Sequence, residues 1–316
     1  MAGNRARTCP RRRWTSLPAV LTRLTRLTNL TAADRLPLTC TRAGTCCFGK
    51  VVWLNPWELA GLAAARGLAV HAFIAACTTG GGIRLRFAGE PDAHGLPACS
   101  QYESTTRGCL AHAGRPLACR LYPLGRVRQG GAGNGGKLRF VHEGRTFPCL
   151  AGCPEVRSLP QVSVGDYLAA QGVAAAAEAQ DAYLEVAQDL AEAAFVLVFD
   201  SGLAARDQGF LERWRETIGE DPAARSAAIP TRLFRLLLDP GLDPALGGAA
   251  FAHQHRELLQ ARLQDEFGHG GDARALAEAS AICLRLALHL LQSCGGDPAD
   301  AARRWIAKAE GVLAGG

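Results

Sequence analysis

No stretch of this sequence reaches the ~18 to 20 consecutive apolar residues of a membrane span, and the nearest, Ala193 to Phe199, is too short. No secretory signal is expected either. The longest uncharged stretch before Arg23, Trp14 to Thr22, is interrupted by Pro18 and has no small-residue cleavage site behind it. Arg11-Arg12-Arg13 invites a twin-arginine reading, but Arg23 and Arg26 cut the apolar segment that such a signal requires. The expectation is a soluble cytoplasmic protein whose thiols stay reduced. Acidic residues are missing from the start of the chain: Met1 to Ala33 carry seven arginines and no Asp or Glu. The formal charge of +6 therefore leaves 6 − 7 = −1 from Asp34 onward. A basic arm on a near-neutral body does not indicate a nucleic-acid partner.

A phosphate-binding loop is also absent. Gly130 to Lys137 contains the glycines and the lysine of one, but Leu138 stands where Ser or Thr is needed and the residues that follow read as a strand rather than a helix. A hairpin loop between two strands explains the glycines. No Gly-rich dinucleotide fingerprint and no internal repeat are present.

What the chain does have is 48% apolar residues, enough over 316 residues for a substantial core. From Leu36 to about Gly165 it is rich in Gly, Pro and Cys, with short β-like runs at Val51 to Leu54, Ile83 to Phe87 and Lys137 to Val141. A helix is predicted from Pro56, where Asn55 can cap, Pro56 suits the first helical position and Glu58 suits the positive end of the dipole. Beyond Ser163 the text is helical: Asp166 to Gln171, Val173 to Val198, Arg206 to Ile218, Thr231 to Leu238, Ala249 to Phe267, Asp272 to Gln292 and Pro298 to Leu313. The predicted fold is mainly α, with a small irregular α+β cysteine-rich metal-binding region and a helical C-terminal half. The predicted organisation is a basic disordered leader over residues 1–35, a cysteine-cluster domain over 36–165 and an α-helical region over 166–316.

Nine of the twelve cysteines lie between Cys40 and Cys153. Eight of them form three groups: Cys40, Cys46 and Cys47; then Cys99, Cys109 and Cys119, ten positions apart; then Cys149 and Cys153. Clustered thiols with interspersed glycines are how a loop wraps a soft or borderline metal ion. The spacing is not that of a zinc ribbon. Adjacent side chains diverge, so Cys46 and Cys47 are expected to serve different metals or different irons of a cluster. Cys77 stands apart, and with Cys283 and Cys294 it is expected to be a buried structural thiol. His94, His112 and His142 are candidate nitrogen ligands, His112 being the best placed. His253 and His255, two apart on a helix, face different directions and are discounted.

These strings resemble the YkgJ-type cysteine-cluster family, described as zinc- or iron-chelating and including the flagellin lysine N-methylases. Cys40, Gly44, Cys46 and Cys47 match its opening C-x-x-C-G-x-C-C, with Ala43 in the second cysteine slot. Arg115, Pro116, Cys119, Arg120, Tyr122 and Pro123 match its R-P-x-x-C-R-x-Y-P element, and Cys109 corresponds loosely to the cysteine before it. Cys153-Pro154-Glu155-Val156 and Val164 to Gly172 extend the likeness to about residue 172.

The resemblance implies metal binding through Cys40, Cys46, Cys47, Cys99, Cys109, Cys119, Cys149 and Cys153. Arg115 and Arg120 are expected to support the site by offsetting thiolate charge, with Tyr122 beside them. The cofactor expected is an iron-sulfur cluster or zinc. The alternative implied by the family is an S-adenosylmethionine-dependent protein lysine N-methyltransferase. The partners expected are a metal ion and, through the helical half, a protein; no membrane is expected.

Overall fold

The structure is a computed structural model describing residues 28–38, 47–93, 95–128, 138–142, 160–268 and 271–315. Residues 1–27, Cys40, Ala43, Cys46, His94, the glycine loop over 129–137, Cys149 and Cys153 lie outside the described residues. Twelve α-helices are present among those described. In the first half these are α1 (Pro56–Ala65), α2 (Val70–Cys77) and α3 (Leu117–Leu121). The second half holds α4 (Val164–Ala170), α5 (Val173–Phe199), α6 (Leu203–Arg206), α7 (Gly209–Glu216), α8 (Pro222–Ala227) and α9 (Thr231–Leu238). It ends with α10 (Gly248–Phe267), α11 (Ala273–Ser293) and α12 (Pro298–Gly315). The mainly helical fold class and the helical C-terminal half follow the hydrophobic periodicity of the sequence.

The strands are short and antiparallel. Thr28–Leu30, Leu138–His142 and Gly125–Arg128 form one sheet with Leu138–His142 at its centre. The last two pair antiparallel, with Leu138 opposite Arg128. Arg35–Leu36 pairs with Val162–Ser163. Thr28–Leu30 and Arg35, within the span expected as the leader, are paired in these sheets. Val51 to Leu54, expected as a strand, is an extended segment with one bridge, Trp53 to Arg84, and hydrogen bonds from Leu54 N to Ile83 O and from Leu85 N to Val52 O.

The larger core lies in the helical half. α5 packs along α10 and α11, and its small buried residues, such as Ala179, Ala187, Ala191 and Ala194, permit close helix approach. Trp214 of α7 is fully buried and donates its indole N–H to Ser280 Oγ at 3.0 Å. α11 is long and apolar enough to cross a membrane by length and composition, which corrects the reading that no stretch qualifies. It falls short of an unbroken apolar run because Arg274, Glu278, Arg285 and His289 interrupt it. In the folded chain 78% of its apolar window is buried.

A second core lies beneath the cysteines. It is built on Leu54, Leu59, Leu62, Phe73, Ile83 and Leu85, includes Cys77 and Cys99, and takes in Leu238 of α9. Trp57 Nε1 of α1 donates to Pro244 O at 3.0 Å, and the His289 ring of α11 bonds Gly81 O through Nε2 at 3.0 Å. The cysteine-rich stretch is therefore seated directly on the helical half.

Candidate metal centre

The site begins with a helix cap. Asn55 Oδ1 accepts from Glu58 N, and Glu58 Oε2 accepts from Asn55 N, both at 3.0 Å, giving the reciprocal capping box at the start of α1. The other oxygen, Glu58 Oε1, accepts the Leu117 amide at 2.6 Å. Leu117 opens α3, the short helix that presents Cys119. Burial pushes the Glu58 carboxyl up to about 7, against the lowering influence of the Leu117 and Asn55 amides and of Arg120. The turn before α3 presses on α1 so closely that a Cβ at Gly114 would collide with the Gly61 carbonyl. Only glycine fits there.

Three separate pieces of chain then bring four thiols to one cavity. A bridge from Phe48 to Ala98, with Gly49 N donating to Pro97 O at 3.0 Å, sets Cys47 beside the strand of Cys99. That strand pairs Cys99 with Phe87, and a tight hairpin pairs Tyr102 with Cys109. α3 supplies Cys119. The cavity measures about 580 Å³, and Cys47, Cys99, Cys109 and Cys119 line it together with His112, Arg115 and Tyr122. Cys99 is nearly buried, and that burial pushes its thiol up to about 11; Cys109 and Cys77 add to the effect, and the Gln101 amide, donating to Sγ at 3.4 Å, opposes it. Without a cation Cys99 is protonated at neutral pH, so a metal that takes it must displace the proton. Among the described residues, no three His, Cys, Asp or Glu side chains stand close enough together to hold a metal ion. The cavity gathers the thiols along its wall without converging them on one point.

The donor set nevertheless has a definite chemistry. Among the described residues the lining offers four soft sulfurs and one imidazole and no carboxylate, a set that fits zinc or iron and does not fit calcium or magnesium. Residues 39–135 match a family model, CxxCxxCC, described as a "putative zinc- or iron-chelating domain". Those residues belong to the CxxCxxCC family. The chain matches no curated protein and no solved structure. Cys40, Ala43, Cys46 and Cys47 fall on the four cysteine positions that the family name spells out, so this CxxCxxCC domain has alanine at the second. The matched span contains Cys99, Cys109 and Cys119 and ends before Cys149 and Cys153.

Within the CxxCxxCC domain the two motif arginines act differently from one another. Arg120 is not on the cavity wall. Its Nε donates to Arg115 O at 2.6 Å, Nη1 to Gln171 O at 2.8 Å and Nη2 to Ala113 O at 2.8 Å. All three partners are backbone carbonyls, so Arg120 folds the loop that carries Cys119. Its charge lies close enough to Cys119 to interact with it. Arg115 does line the cavity, with Nε donating to His112 O at 3.1 Å and Nη2 to Gln171 Oε1 at 2.9 Å. Tyr122 lies on the wall under Lys50, whose Nζ is 5.2 Å from the ring centre. Tyr167 Oη donates to Tyr122 O at 2.6 Å. Gln171 and Tyr167 belong to the Val164 to Gly172 string, so that string and the Arg-Pro string form one interlocked unit. Sequence inspection marked both strings as family-like without linking them.

The remaining candidates sort by burial. Cys77, expected to be structural, is buried in the same core as Cys99 and adjoins it electrostatically. Cys283 and Cys294 are buried in the helical core, where burial raises both thiols, Cys283 to about 12. His255, discounted as a ligand, is fully buried between Tyr183 Oη, 2.9 Å from Nδ1, and Leu236 O, 2.8 Å from Nε2. The side chain of His142 is not among those described. Glu58, read only as a favourable first-turn residue, is the functional neighbour that sequence inspection missed.

Proposed function

We propose that this protein holds a zinc ion or an iron-sulfur cluster through cysteine thiolates, with Cys47, Cys99, Cys109 and Cys119 supplying sulfur from the cavity wall. The observation that supports it is the arrival of four cysteines, from three separated segments, on one cavity within the chelating domain. Cys40, Cys46, Cys149 and Cys153 are the further thiols proposed, as a second set of four or as spare thiols beside a cluster. Four thiolates would supply the whole tetrahedral shell of zinc or bind the irons of a cluster. Reduced thiols of this kind suit a cytoplasmic location.

The test is elemental analysis and absorption spectroscopy on full-length protein purified anaerobically. Stoichiometric zinc in a colourless protein, or iron with visible charge-transfer absorption, supports the reading, and loss of that metal in Cys109→Ser and Cys119→Ser assigns the ligands. Absence of both metals overturns it. The methyltransferase alternative is favoured only by the room in the cavity. A rise in melting temperature with added S-adenosylmethionine would support it, as expected for a ligand that binds only the folded state.

A further inference from the structure

Among the described residues the cavity wall carries three cations, Lys50, Arg107 and Arg115, and no aspartate or glutamate. Among the described residues none of the three forms an ion pair. Their partners are neutral: the Tyr122 ring for Lys50, and the His112 carbonyl and Gln171 side chain for Arg115. Arg107 sits in the turn of the Tyr102 to Cys109 hairpin with φ +50, a left-handed conformation uncommon outside glycine, and it is exposed at the cavity rim.

Beside Gln101, Thr106, His112, Tyr122 and the four thiols, the wall has a large apolar share, with Val52, Leu62, Leu85 and Phe87 among its members. Cations of one sign around a low-dielectric concavity focus a positive potential and attract an anion. A thiolate metal site does not cancel that potential: four thiolates on a divalent ion leave two negative charges, and three cations leave one positive charge over. The volume of about 580 Å³ lies within the range of roughly 300 to 1,000 Å³ typical of small-molecule sites, well beyond what a single metal ion fills.

We propose that this cavity binds a small monoanionic molecule with an apolar body, a carboxylic acid, whose carboxylate meets Lys50, Arg107 and Arg115 while its body lies on Val52, Leu62, Leu85 and Phe87. The proposal concerns the same cavity as the metal reading and does not require it, because the three cations attract the carboxylate with or without metal.

The experiment is calorimetric titration of full-length protein, its metal content measured in parallel, with 4-phenylbutyrate, 4-phenylbutanamide, 4-phenylbutylamine and decanoate. Saturable binding of a carboxylate, weakened roughly tenfold or more in the neutral amide and lost in the amine, is the expected result. The variant Lys50→Met/Arg107→Met should weaken carboxylate binding by about the same factor with melting temperature and metal content unchanged. Lys308→Met, remote from the cavity, should leave it unaltered. Amide binding as tight as carboxylate binding, no saturable binding of either carboxylate, or an unaffected double variant overturns the proposal. Carboxylate binding by protein that contains no metal sustains it while removing the metal reading.

Discussion

Glu58 Oε1 accepts the Leu117 amide at 2.6 Å across 59 residues of sequence, while Glu58 Oε2 accepts the amide of its own helix cap, Asn55. One buried carboxylate thus closes the first turns of both α1 and α3, and it fixes the helix of Cys119 to the helix beneath the cavity.

That arrangement makes the Glu58→Gln variant informative about pH. The folded-state value of Glu58 is raised from 4.5 to about 7, so the folded protein holds a proton that the unfolded chain has released. Stability linked to Glu58 is highest below 4.5 and declines as pH rises towards 7, by on the order of 3 kcal/mol in all. His255 and His289 act in the opposite sense. Burial lowers both from 6.5 to about 4, with Arg225 contributing at His289, so their contribution is complete above 6.5 and is lost as pH falls towards 4. Between roughly pH 4.5 and 6.5 these three groups give an unfolded chain that binds about one more proton than the folded one. Glu58→Gln should raise that number to about two, steepening the pH dependence of urea-unfolding free energies. A difference between variant and parent that does not change from pH 4 to pH 8 would contradict the role assigned to Glu58.

The motif arginines give a second test. Arg120→Lys keeps the charge but cannot reach three carbonyls from one ammonium, and about 1 to 3 kcal/mol of unfolding free energy should be lost. Gln171→Ala removes the side-chain acceptor of Arg115 while leaving the backbone carbonyl that Arg120 uses. Its coupling should therefore be larger with Arg115→Ala than with Arg120→Lys, measured as double-mutant cycles.

Local signals made much of this legible beforehand. Asn55-Pro56 with Glu58 announced α1, and apolar periodicity placed α5, α9, α10, α11 and α12 to within a few residues. Six of the eight grouped cysteines fall within the span that the family model matches. What stayed hidden depends on separations that no local window spans. Leu117 is the second partner of Glu58, Gln171 is the acceptor for Arg115, and Cys77 is the neighbour of Cys99. α3 escaped notice because a five-residue helix shows no period, and its start is satisfied by a carboxylate from elsewhere.

Thiol reactivity should separate the cavity cysteines from the core ones. Cys283 and Cys294 are almost inaccessible and their thiols are raised by burial, so alkylation under native conditions should leave both unmodified until the protein unfolds. Cys283→Ser puts a hydroxyl into apolar packing and should cost about 1 to 3 kcal/mol without altering metal content. Mass spectrometry of alkylated peptides, with and without denaturant, checks the first expectation, and urea unfolding with metal analysis checks the second.

The two glycines where the α3 turn meets α1 should respond to alanine with opposite signs. At Gly114 an added Cβ would collide with the Gly61 carbonyl and come within 2.9 Å of Leu62 N, both backbone atoms that cannot rotate away. Gly114→Ala must therefore push the turn off α1, at about 1 to 3 kcal/mol for overpacking, and the shift travels directly into the Leu117 cap and Cys119. At Gly61, within α1, an added Cβ finds its nearest neighbour, Gly114 Cα, at an ordinary 4.0 Å. Gly61→Ala removes a flexible residue from a helix interior and should stabilise the fold by roughly 0.5 to 1 kcal/mol. Thermal unfolding of the two variants side by side reads the difference. Equal effects would mean that the turn does not rest on α1 in the way the contact requires, and that Cys119 is positioned by something other than this seat.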